Sequence, residues 1–196
     1  TLSMSLSAFT RSCWPVIMYG PAWPTIWRRS SVMVIEEMFT PQAFITTDHD
    51  NNQITAFHPG AMMQAHIRRV QKRDDIRLAI ISPDGREAML EHAEQLHAAG
   101  IPFVFDPGQG LPMFDGDALA RFVELADWVA VNDYEGQMLC DRMGVDLAEV
   151  SRRVRGLIVT LGAQGCDLWQ QGQQEHVPGI PVTDAVDPTG CGDASP

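Results

Sequence analysis

Ile76-Arg77-Leu78-Ala79-Ile80-Ile81-Ser82-Pro83-Asp84-Gly85, residues 76–85, is an apolar run of strand length closed by a turn. A short, nearly continuous apolar run suits a strand buried on both faces, and Ser-Pro-Asp-Gly suits the opening of a helix. That helix is read from Met89, Leu90, Ala93 and Leu96, a stripe at helical spacing that Gly100 stops. The unit then repeats. Residues 101–105 form a strand ending in Asp106-Pro107-Gly108, and Leu119, Phe122, Val123 and Ala126 mark the next helix. Residues 128–131 are a strand, 134–143 a helix ended by Gly144, 147–155 a second helix, and 157–161 a strand. Apolar strands separated by amphipathic helices predict an α/β fold, a parallel sheet with helices on both faces. Ligands of such sheets sit at the carboxyl ends of the strands. This singles out Ser82, Asp106, Asn132, Thr160 and Asp187, all expected on one rim.

On the C-terminal side, residues 166–169 and 174–177 read as a hairpin around Gln171-Gly172, and 180–186 lead into a glycine-rich loop. On the N-terminal side, residues 42–48 and 53–58 are β-prone runs separated by His49-Asp50-Asn51-Asn52, a polar turn, so they predict a second hairpin closed by Pro59-Gly60. Residues 1–35 read differently, with Trp14, Trp23, Trp27, Pro15, Pro21 and Pro24 and no sustained period, so little stable structure is expected there. The apolar stretch 13–19 is too short and too broken by proline to span a bilayer, and no convincing signal peptide is present.

Composition narrows the chemistry. With 196 residues, 45% of them hydrophobic and 20% charged, the chain can build one ordinary globular core. A net charge of −11 without a basic patch argues against nucleic-acid binding. Lys72 is the only lysine among 14 basic residues, and no G-x-x-x-x-G-K-[ST] occurs, which excludes a P-loop. Any phosphate chemistry here must rely on backbone donors, arginine and metal. The 4 cysteines are scattered without ligand spacing, as expected of free thiols in a reducing cytosol.

The loop is Asp184-Ala185-Val186-Asp187-Pro188-Thr189-Gly190-Cys191-Gly192-Asp193. Glycines turn tightly and leave their N–H groups uncovered, and several such donors make an anion site where a helix begins. An aspartate beside them can accept a proton from a hydroxyl, although a Gly-rich turn with an Asp cap has the same spelling. Asn132-Asp133-Tyr134-Glu135 reads as a capping box, and its oxygens also suit a hard cation. Thr160-Leu161-Gly162-Ala163-Gln164-Gly165 is a turn into a hairpin, or a close backbone approach to phosphates. Asp187 and Thr189 suit an Asx or ST turn before Pro188.

Asp-Pro-Thr-Gly-Cys-Gly-Asp closely resembles the C-terminal signature of the ribokinase (PfkB) carbohydrate kinase family. The Asn-x-x-Glu and Thr-x-Gly-x-x-Gly stretches precede it in the family's order, and the resemblance runs over about residues 34–194. It implies a ribokinase-like α/β fold, incomplete here, with a small β-lid at about 40–60 and a body at about 61–196. It implies ATP and Mg2+ as cofactors. The activity implied is phosphorylation of a hydroxymethyl group of a sugar or nucleoside in the cytoplasm, with adenosine favoured. Asp193 would be the catalytic base, with Gly190, Cys191 and Gly192 as the anion hole. Thr160, Gly162 and Gly165 would line the nucleotide, and Asn132 and Glu135 would organise magnesium indirectly. Asp187 and Thr189 would hold a monovalent cation such as K+. Gln42, Phe44 and Phe57 would belong to the lid that closes over the acceptor, and a homodimer would form through that lid.

The chain also departs from the family. Cys191 stands where most members have a small residue, usually Ala; no Gly-Gly dipeptide occurs; and residues 1–33 resemble nothing in the family. The expectation is a chain truncated at both ends, a poor kinase or none as written. The rival reading is a nucleotide-binding module without turnover. An NAD-dependent oxidoreductase is disfavoured because no G-x-G-x-x-G follows the first strand.

Overall fold

The computed structural model describes Met18–Tyr19 and residues 34–47, 53–70, 74 and 76–180. Expectations for the rest of 1–33, for the turn 49–52 and for the glycine-rich loop 184–193 lie outside the described residues. In chain order the strands are β1 (Met18–Tyr19), β2 (Gln42–Thr47), β3 (Gln53–His58), β4 (Ile76–Ile81), β5 (Phe103–Phe105), β6 (Trp128–Asn132), β7 (Gly156–Thr160), β8 (Gly165–Gln170) and β9 (Gln173–Pro178). The α-helices are α1 (Arg86–Ala99), α2 (Gly116–Leu125), α3 (Asp133–Met143) and α4 (Leu147–Arg153).

One sheet has the order β1-β4-β5-β6-β7-β8-β9, parallel from β4 to β7 and antiparallel at both ends. Strands β2 and β3 form a separate antiparallel hairpin. Because β4 to β7 are neighbours in sequence order, right-handed crossovers put α1 to α4 on one face. The burial pattern agrees. The register row Ile81, Phe105, Val129 and Leu157 crosses the sheet fully buried. The alternate row Ile80, Val104 and Trp128 is half-buried. Helices were expected on both faces; the described helices account for one.

The core beneath them is aromatic. Phe105 stacks on Phe122 at 4.2 Å between centroids, and Phe114 meets Phe122 edge-on at 5.0 Å. Burying side chains of this size stabilises by roughly 2–3 kcal/mol each. The Arg142 guanidinium donates to the carbonyls of Leu111, Pro112 and Phe114, pinning the 310 turn Gly108–Met113 to α3.

Element ends follow backbone bonding. Gly100 closes α1 in the left-handed conformation at φ 68°, and the Ile101 N–H bonds back to Leu96. Ile101 is thereby committed to the cap and Pro102 has no N–H, so β5 begins at Phe103 rather than at 101. Helix α4 was expected to reach 155. It stops at Arg153 because the Arg155 N–H bonds to the Asp127 carbonyl at 2.8 Å, where β7 enters the sheet. Strand β7 starts and ends one residue before the expected span, because the Leu161 N–H turns to Gly165.

Candidate active site

The carboxyl ends of β4, β5, β6 and β7 share one edge, so Ser82, Asp106, Asn132 and Thr160 form one rim as expected. Asp187 lies outside the described residues. Asn132 and Thr160 are register partners across β6 and β7, about 5 Å apart as neighbours in a parallel pair.

The Asn132 side chain accepts the Glu135 N–H at 2.7 Å, while Glu135 Oε2 accepts the Asn132 N–H at 2.9 Å. This is the reciprocal capping box, with both side chains half-buried at the start of α3. The box uses one oxygen of each residue. Glu135 Oε1 and the Asn132 amide NH2 take no part in the box. At this positive helix end the NH2 donors suit an anion such as a phosphate, and a hydrated cation would depend on the Glu135 carboxylate alone.

After Thr160 the turn Gly162–Gln164 divides the two glycines assigned to the nucleotide. Gly162 has φ +58°, and an added Cβ would meet nothing within 4 Å, so this position is open to a close ligand. Gly165 is different. A Cβ there would overlap the Val177 carbonyl and lie 2.5 Å from the Gly179 nitrogen. The packing of β8 against β9 therefore requires this glycine whether or not a nucleotide approaches it.

The hairpin also divides its expected residues. In its register Gln42 pairs with His58, Ala43 with Phe57 and Phe44 with Ala56. Side chains alternate, so Gln42 and Phe44 share one face and Phe57 takes the other with Ile45. Phe44 is 55% exposed and Phe57 51%, so both faces present aromatic surface. A single acceptor cannot meet Gln42, Phe44 and Phe57 on one face.

Asp84 is not among the rim residues expected from the sequence, where it belongs only to a helix opening. It is only 6% exposed in the turn between β4 and α1, and its Oδ1 accepts the Gly85 N–H at 2.7 Å. Among the described residues it has no ion pair, and burial pushes its carboxyl up to about 6 against the opposing Gly85 hydrogen bond. An aspartate at a sheet's carboxyl rim is a signal that could have found it. Asp193, Gly190, Cys191, Gly192 and Thr189 all lie outside the described residues.

A mostly parallel sheet with helix-capped strand ends and a detached two-stranded hairpin defines a ribokinase-like α/β protein. A family model described as "pfkB family carbohydrate kinase" matches residues 29–195, so the match starts slightly before the expected residue 34. The chain belongs to the pfkB family of carbohydrate kinases. The structure of Burkholderia thailandensis nucleoside kinase in complex with inosine is similar at 51% identity and TM-score 0.77, over 81% of this chain and 53% of that one. The same protein in complex with ADP-inosine gives 51% identity and TM-score 0.75, over 81% of this chain and 50% of that one. A nucleoside kinase of Methanocaldococcus jannaschii is 30% identical over 84% of this chain and 54% of its own length. The chain spans about half the length of the curated relatives it matches.

Proposed function

We propose that the chain carries the phosphoryl-transfer side of an ATP-dependent kinase that phosphorylates a hydroxymethyl group of a nucleoside. The observation behind this reading is the 51% identity to a nucleoside kinase whose structure was obtained with inosine. Adenosine and inosine are both candidate acceptors, ahead of free sugars. The compartment is the cytoplasm, where ATP is made available; among the described residues no helix is long and apolar enough to cross a membrane.

In this reading Thr160 and Gly162 receive the nucleotide at the end of β7, where the backbone is open. Asp193 takes the proton from the attacking hydroxyl, and the N–H groups of Gly190, Cys191 and Gly192 hold the charge that develops on the transferred group. Magnesium, when bound, supplies charge neutralisation across the phosphates. Asn132 and Glu135 would orient its waters, and Asp187 and Thr189 would hold a K+ that orders the loop. The hairpin covers the acceptor with one face and offers the other to a second copy.

The test is ADP release with adenosine, inosine, ribose and fructose. It uses the chain alone and the chain joined to the part of the Burkholderia protein that it does not cover. Nucleoside-dependent turnover on the order of 1 per second in the joined protein supports the reading. Turnover with fructose or ribose only overturns the acceptor assignment, and ATP binding without any turnover favours the nucleotide-binding module.

A further inference from the structure

The hairpin β2–β3 returns to the body through the 310 segment Gly60–Ile67 and the residues that follow it to Val70. This strap lies along α1 and is tied to it at several points. The His92 Nε2–H donates to the Arg68 carbonyl at 2.7 Å, and the Val70 N–H donates to Gln95 Oε1 at 2.6 Å. His66 Nδ1, which has no hydrogen-bond partner among the described residues, sits 3.7 Å from Glu87 Oε2. At the N-terminus of α1 the contact is backbone on backbone. A Cβ added to Gly85 would lie 2.9 Å from the Met62 carbonyl oxygen and 3.6 Å from the Met63 Cα.

Gly85 has φ −54° and ψ 136°, a conformation that any residue adopts. A glycine is therefore not needed here for its backbone freedom. What it provides is room for the strap. Asp84 immediately before it fixes the orientation of this peptide by accepting the Gly85 N–H. It does so as a buried carboxyl without an ion pair among the described residues, an arrangement that costs stability and so points to a task. At the other end of the strap, the Ala61 N–H bonds to the Phe39 carbonyl at 2.8 Å. Gly60, at φ +49°, packs so closely that a Cβ would overlap the same carbonyl. The two limbs of the hairpin are thus clasped at its base.

We propose that Asp84 and Gly85 are positioning residues that seat the strap on α1 and so fix where the clasped base of the hairpin, about residues 39–41 and 59–60, meets the body. The name lid for that hairpin rests on the kinase reading; the seat does not. Deuterium exchange of the chain's amides tests it without any turnover, so the two can fail separately.

Gly85→Ala places a methyl group against the Met62 carbonyl. Asp84→Ala removes the acceptor of the Gly85 N–H, whereas Asp84→Asn keeps an acceptor oxygen in the same place. Both alanine variants are expected to speed exchange of the amides in 61–70 by about tenfold or more, while β4 and α1 keep their protection. Asp84→Asn is expected to exchange like the unaltered chain in that segment. Unchanged exchange in 61–70 in Gly85→Ala overturns the seat. A uniform loss of protection across the chain overturns it too, because it marks a residue that serves only global stability.

Discussion

Asn132 and Glu135 each accept the other's backbone N–H, at 2.7 and 2.9 Å, and so close the N-terminus of α3 at the sheet's carboxyl rim. The pair is a helix cap by this geometry, and the box leaves one Glu135 carboxylate oxygen for the proposed cation role. The two roles separate by substitution.

Asn132→Ala removes the acceptor for the Glu135 N–H and is expected to lower unfolding free energy by about 1 kcal/mol, measured by urea titration. Glu135→Gln keeps the box, since a glutamine oxygen accepts the same N–H. Its stability is expected to stay within about 0.5 kcal/mol of the unaltered chain, while magnesium-dependent nucleotide affinity falls roughly tenfold as the charge is lost. If Glu135→Gln binds magnesium nucleotide as tightly as before, the pair is a cap alone.

Gly162 and Gly165 make the second contrast. Gly165→Ala drives a methyl group into the Val177 carbonyl at φ +103° and is expected to cost more than about 2 kcal/mol, or to prevent folding. Gly162→Ala meets open space and pays only the left-handed backbone cost, about 1 kcal/mol. If a nucleotide approaches the turn closely, Gly162→Ala lowers its affinity while the fold survives. Thermal unfolding and nucleotide titration of Gly162→Ala separate the two effects, and unchanged affinity would remove Gly162 from the nucleotide contact.

The β/α alternation was legible because its signals are local. Apolar runs such as Ile76–Ile81, the Gly100 and Gly144 stops and the Asn132 cap act within a few residues. What escaped depends on partners distant in sequence. The shortening of β5 needed the joint effect of a helix cap and Pro102. The 310 segment Gly60–Ile67 has no helical stripe and is held by α1, about 25 residues further on in the chain. The hairpin residues were sound as elements, but Gln42, Phe44 and Phe57 were grouped without their register, and register alone decides which face each takes. Asp84 was hidden for the same reason: nothing in Ser-Pro-Asp-Gly says that the Met62–Met63 backbone will pack against the neighbouring Gly85.

Asp84 gives the chain a defined pH dependence. Burial raises its carboxyl from the model-peptide value of 3.8 to about 6, so the folded state binds the proton more tightly than the unfolded state. Its contribution to stability is therefore fully present below about pH 4 and is lost as pH rises to about 6. Above that, the buried carboxylate costs at most about 3 kcal/mol relative to the unfolded chain. Asp84→Asn is expected to raise stability at pH 7 by up to that amount and to flatten the pH profile between 4 and 6. Urea titrations at pH 4, 5, 6 and 7 check it, and equal stability of the two proteins at pH 7 would show that the carboxyl carries no such cost.

In the proposed reaction Asp193 is the base. It follows the Gly190-Cys191-Gly192 stretch, within the residues that the pfkB family model matches, and the base role proposed for it is open to a direct test. Asparagine preserves the shape of the side chain and most of its hydrogen bonding but cannot take up the hydroxyl proton. In the chain joined to the uncovered part of the Burkholderia protein, Asp193→Asn is expected to abolish nucleoside-dependent ADP release and leave nucleotide affinity within a few-fold. Proton transfer by a positioned base contributes about 10²–10⁴ in rate. A loss of turnover by about tenfold or less under saturating ATP and nucleoside would mean that another group accepts the proton. A parallel collapse of nucleotide affinity would instead assign Asp193 to holding the loop together, with the anion-binding N–H groups dependent on it. Kinetics and equilibrium binding measured on the same preparation therefore distinguish a base from a scaffold.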